Sequence, residues 1–98
     1  MEIAHGYPNA QGLVKMLVQV PPVAKQGHVL IAMSYDEDDI LVEIAQAPTG
    51  WNRLEGPAIM FKEVMDDEPT SVTFHLKSTG NNTWHYVKIL CVGIKEED

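Results

Sequence analysis

Along much of this chain apolar residues alternate with polar ones, the period of a strand with one buried face. In "GLVKMLVQV" (12–20), Val14, Met16, Val18 and Val20 share a face, and Lys15 and Gln19 lie opposite. Pro21 and Pro22 end that strand, because proline has no N–H to give to a sheet ladder. "GHVLIAMSY" (27–35) sets Val29, Ile31, Met33 and Tyr35 against His28, Leu30, Ala32 and Ser34. "SVTFHLK" (71–77) is the cleanest segment, with Val72, Phe74 and Leu76 inward and Thr73, His75 and Lys77 outward. In "AIMFKEVM" (58–65), Ile59 and Phe61 oppose Met60, Lys62 and Val64. Ile40, Val42 and Ile44 alternate within "DILVEIAQA", and β-branched content predicts a strand there. The alternative is a short helix capped by the preceding "DEDD", since acidic residues favour a helix N-terminus.

The last segment, "WHYVKILCVGI" (84–94), is apolar on both faces. Val87, Ile89 and Cys91 can line a core; Trp84, Tyr86, Leu90 and Val92 then face the other way, interrupted by Lys88. The outer side of a sandwich strand normally meets water. A second apolar face therefore marks Trp84, Tyr86, Leu90 and Val92 as a candidate subunit interface.

Turn signals recur at short intervals: "YPNAQG", "PP", "KQG", "DEDD", "APTG", "EGP", "DDEP", "TGNN". Short strands so punctuated predict an all-β fold: one antiparallel β-sandwich domain of about seven strands over residues 1–98, immunoglobulin-like or a small jelly roll. Trp51, Phe74 and Phe61 are the aromatic candidates for its core. Trp51, Trp84 and Tyr86 could instead form a platform for sugar rings or a partner, but a core role is the better expectation for Trp51.

Charge narrows the function classes. The 98 residues carry 14 acidic and 7 basic side chains, a net charge of −7. That argues against a nucleic-acid binder, which needs clustered Lys and Arg to release counterions. The single cysteine, Cys91, lies in an apolar run and offers no intrachain disulfide. The N-terminus lacks the basic start and apolar stretch of a signal peptide, and no run approaches a membrane span. The expectation is a protein made in the cytoplasm, with no membrane partner.

Candidate chemistry is sparse. His5, His28, His75 and His85 show no zinc-type spacing, although His75 and His85 fall on successive strands that could adjoin. "DEDD" (36–39) lacks the glycine and distal glutamate of a calcium loop and reads as a solvated turn. "DDE" (66–68) and the terminal "EED" read the same way. Ser34, Ser71 and Ser78 lie in no nucleophile motif. "NNT" (81–83) matches a glycosylation sequon but reads as a polar hairpin turn. The expectation is no catalytic residue, no metal, no cofactor and no enzyme.

Taken in order, "QGHVLIA" (26–32), "PTGW" (48–51), "MFKEVMDDEPTSVTF" (60–74) and the apolar last strand resemble a β-sandwich module of bacteriophage virion structural proteins and related bacterial surface proteins. The likeness spans roughly residues 20–94. It departs at His28, where the family usually has an acidic residue, and over 32–48, where the family often has Thr and Ser. The resemblance implies that Pro48 sets the approach to a tight turn at Gly50, which drives Trp51 into the sandwich as a core plug. It also implies a virion structural protein. A chain one domain long, beginning with its own Met and bearing an apolar outer face, points to a small capsid decoration or cement protein that stabilises the assembled head. The implied partners are the major capsid protein or other virion proteins, and further copies of itself. A trimer would suit the local three-fold positions of a capsid. The alternative is a tail or baseplate module that recognises host-surface carbohydrate.

Overall fold

The computed structural model describes residues 2–80 and 83–93. They form eight strands: β1 (Glu2–Gly6), β2 (Leu13–Gln19), β3 (Val29–Asp36), β4 (Ile44–Gln46), β5 (Asn52–Glu55), β6 (Ile59–Glu63), β7 (Ser71–Lys77) and β8 (His85–Val92). All pairings are antiparallel. One sheet runs β1-β8-β3-β6-β5 and the other β2-β7-β4, so the fold is an all-β sandwich.

The strands form where alternation exposes a clean apolar face. In β2, Val14, Met16 and Val18 are buried; in β7, Val72, Phe74 and Leu76. These two strands pair residue for residue, with Met16 opposite Phe74 and Val18 opposite Val72. Their buried sets form one layer of the core. The other layer comes from Leu30 and Ala32 of β3, Met60 of β6, and Val87 and Ile89 of β8. The "DILVEIAQA" segment is strand only at Ile44–Gln46, with an isolated bridge from Leu41 to Tyr35. Val42 and Ile44 are buried, whereas Ile40 is exposed. No helix is present among the described residues.

Two glycines let the layers close. Gly6 of β1 lies so near β2 that a Cβ there would sit 3.2 Å from Met16 Sδ and 3.3 Å from Val14 Cγ1. Gly50 adopts φ +100°, a region that disfavours any residue with a Cβ. The Trp51 N–H then bonds back to the Pro48 carbonyl at 3.4 Å, closing the turn. Trp51 is delivered into the core against Phe74, ring centroids 5.0 Å apart and planes at 78°. Its indole Nε1 is buried without a hydrogen-bond partner among the described residues.

The structure departs from the sequence pattern in three places. Phe61 is not a core residue: it lies on the outer side of β6, while Met60 faces the core. His75 and His85 do not adjoin, because β7 and β8 belong to different sheets. Two edge strands, β1 and β5, form where the sequence shows no strand pattern. Asn81 and Asn82 of the sequon and the terminal "EED" lie outside the described residues.

Candidate functional site

Strand parity and register decide what the five-stranded sheet shows to the outside. β3 is buried at Leu30, Ala32, Ser34 and Asp36, so Val29, Ile31, Met33 and Tyr35 face outward. On β8 the inner set is His85, Val87, Ile89 and Cys91, which leaves Tyr86, Lys88, Leu90 and Val92 outside. The ladders then align outward side chains into rows. Leu90 pairs with Ile31, and Ile31 with Phe61. Ile3 pairs with Lys88, Lys88 with Met33, and Met33 with Ile59. His5 pairs with Tyr86 and Tyr86 with Tyr35; Val92 pairs with Val29, and Val29 with Glu63, the acidic end of the wall. The four residues Trp84, Tyr86, Leu90 and Val92 thus belong to a wider apolar wall built from β1, β8, β3 and β6.

Four strands about 4.8 Å apart, over seven residues rising about 3.3 Å each, give this wall a footprint of roughly 440 Å². Patches of that size on a monomer are often functional. The opposite layer is an internal control. The outward residues of β2 and β7 include Lys15, Gln19, Thr73, His75 and Lys77, with Leu13 and Leu17 the apolar exceptions. One outer face of the sandwich is largely polar and the other largely apolar.

An aromatic cluster occupies one end of the wall. Tyr35 stacks on Tyr86, with centroids 5.0 Å apart and planes 21° from parallel. Trp84 approaches Tyr86 at 5.6 Å, and His5 approaches Trp84 at 5.2 Å and Tyr86 at 5.7 Å. Lys88 Nζ sits 5.0 Å from the Tyr35 ring centre and 5.7 Å from that of Tyr86, so ring quadrupoles receive the one cation in the rows. The Tyr86 hydroxyl donates to Asp39 Oδ1. This bond to a carboxylate, first, and then burial push the Tyr86 phenol up to about 12. Crowding leaves Tyr86 only 8% exposed.

Beneath the cluster lies a buried polar group that periodicity gave no reason to expect. Ser34 Oγ donates to the Val42 carbonyl at 2.6 Å. His85 Nε2 accepts the Thr79 N–H at 3.2 Å, which assigns the imidazole proton to Nδ1, facing the Thr83 carbonyl at 2.9 Å. Asp36 Oδ1 accepts the N–H groups of Asp38 and Ile40, so "DEDD" is a side-chain-capped turn. Asp39 completes it at φ 62°. These contacts hold strand ends and the loop that reaches Tyr86.

His28 Nδ1 accepts the Lys25 N–H at 3.2 Å, closing the turn before β3. It also lies 3.5 Å from Cys91 Sγ, and Cys91 is packed against the core. Among the described residues no three His, Cys, Asp or Glu side chains converge as a metal site. No protein-family model matches the chain, and no curated protein and no solved structure matches it.

Proposed function

We propose that this protein is a bacteriophage virion structural protein, a small capsid decoration or cement protein that attaches to the assembled head. The observation that carries the reading is the apolar outer wall of the five-stranded sheet, set against the polar outer face of its partner sheet. A solvated monomer has no use for rows such as Leu90-Ile31-Phe61. A protein neighbour would cover them and recover about 25 cal/mol per Å² of apolar area. The segments that resemble phage modules supply the viral assignment.

The wall is smaller than the roughly 800 Å² per partner of a standard interface. Oligomerisation, with a trimer at local three-fold positions as the arrangement considered, would add contact area around it. Binding only to the assembled shell would stabilise that shell by mass action.

The aromatic cluster raises the alternative of a carbohydrate platform on a tail or baseplate. Sugar recognition by stacking needs an open ring face. Tyr86 offers none, with Tyr35 on one face and only 8% exposure. That favours a flat protein neighbour over a sugar.

Immunogold labelling of virions tests the reading. Label spread over the head supports decoration. Label confined to the tail moves the carbohydrate module to first place, and no label on any particle overturns the virion assignment.

A further inference from the structure

The end of the sandwich away from the aromatic cluster holds a cavity of about 720 Å³, independent of the outer wall. Its walls are the chain leaving β2 and the loop joining β6 to β7, with Val20, Pro21, Ala24, Val64, Met65 and Pro69 among the lining residues. Backbone bonds pin both walls: Val20 N–H to the Thr70 carbonyl at 2.8 Å, Gly27 N–H to the Val64 carbonyl at 3.1 Å, and Val64 N–H to the His28 carbonyl at 2.8 Å. The backbone of both walls is thus fixed, and the cavity volume lies in the range of small-molecule sites.

Glu68 also lines it. The side chain is 8% exposed, and Oε1 accepts Lys62 Nζ at 2.6 Å and the Met65 N–H at 3.1 Å. Oε2 is buried with no hydrogen-bond partner among the described residues. A buried carboxylate oxygen left bare is costly, so an incoming donor gains what the fold left unmade. Glu2 and Asp66 at the cavity add negative charge, against Lys25. Oε2 is closed to solvent, so a ligand reaches it only when a lining side chain moves aside; Met65, half-exposed and unbranched, is one lining residue able to move.

We propose that this cavity binds a cationic nitrogen on an apolar stem, a primary amine or the side chain of a lysine, with the N–H group donating to Glu68 Oε2. The stem packs on the proline and aliphatic wall. Anions of the same length are excluded by the Glu2, Asp66 and Glu68 carboxylates.

The test is a titration of the full chain with n-hexylammonium chloride, followed by amide chemical shifts, with n-hexanoate as the matched anion. Saturable shifts at 23–26 and 64–70, with hexanoate at least tenfold weaker, are expected. Glu68→Gln puts an amide donor where the bare acceptor stood and should weaken binding at least tenfold. Should Glu68→Gln fail to fold because it strips Lys62 of its partner, Pro22→Trp decides, since Pro22 is an exposed lining residue whose replacement blocks the mouth and spares the ion pair. N-acetyl-lysine N-methylamide binding as well as hexylammonium marks a protein side chain as the source; hexylammonium alone marks a free amine, and both outcomes support the site. Equal binding of hexanoate, shifts that do not saturate, or unchanged binding in Pro22→Trp or in a folded Glu68→Gln overturns it.

Discussion

Removing the Trp51 side chain is the sharpest test of how the turn at 48–51 serves the fold. Trp51 is 8% exposed and meets the fully buried Phe74 edge to face. Large aromatic-to-Ala changes in a core cost about 3–5 kcal/mol. Loss of the edge-to-face pair adds about 0.5–1.5 kcal/mol. Deleting the unpartnered Nε1–H works the other way, by about 1 kcal/mol or more, because the fold no longer buries an unsatisfied donor. Trp51→Ala should therefore destabilise by about 3–5 kcal/mol, a large share of the roughly 5–15 kcal/mol of a typical domain. For a chain of this size that is a fall in Tm of about 15–30 °C. Trp51→Phe keeps a ring against Phe74 and removes the bare donor, so its cost should be only about 1–2 kcal/mol. Guanidinium unfolding followed by far-UV circular dichroism reads both, with slopes unchanged if only the folded state is affected. A cost below about 1 kcal/mol for Trp51→Ala, or equal costs for Ala and Phe, would refute the core-plug reasoning.

Three further outcomes are expected. Phe61→Lys on the outer wall should cost less than about 1.5 kcal/mol yet abolish self-association or particle attachment in light scattering and co-sedimentation, whereas Leu17→Lys on the polar sheet should change neither. Gly50→Ala should lose about 1–3 kcal/mol in the same unfolding assay, since φ is +100° and the new Cβ would lie 3.0 Å from Lys62 Cε. The Tyr86 phenol, raised to about 12 by Asp39, has its neutral form favoured in the folded state. Its stabilising contribution is thus complete below pH 10 and lost as pH climbs toward 12. Asp39→Asn should bring the phenolate absorbance of Tyr86 back toward ordinary tyrosine values, and no change would rule out that hydrogen bond as the cause.

How much was legible in the sequence depends on how local the deciding physics is. The β7 segment reads directly, because Val72, Phe74 and Leu76 alternate with Thr73, His75 and Lys77 and a period of two needs only neighbours along the chain. The turn at "PTGW" reads directly too, since Gly50 is the residue that tolerates its positive φ. Edge strands β1 and β5 were opaque because "EIAHG" and "NRLE" are short and carry too few apolar residues to show an alternating face. The candidate site was half legible. Trp84, Tyr86, Leu90 and Val92 stand out because β8 has no polar face, but Ile31, Met33, Tyr35, Ile59 and Phe61 join them only through the ladders to β3 and β6.

The sequence by itself determined an all-β chain, its main strands, their two-sided patterning and the glycine turn that delivers Trp51. Tertiary structure decided which side is inside. On β3 the more hydrophobic set, Val29, Ile31, Met33 and Tyr35, faces out, while Leu30, Ala32, Ser34 and Asp36 face the β2-β7-β4 sheet. On β6 it likewise turned Met60 inward and Phe61 outward. Alternation states only that two sets of side chains oppose each other. Which set is buried depends on where a second sheet, brought from distant parts of the chain, comes to lie. The cavity beside Glu68 has the same origin, since residues 19–26 and 64–70 meet only when the sheets close.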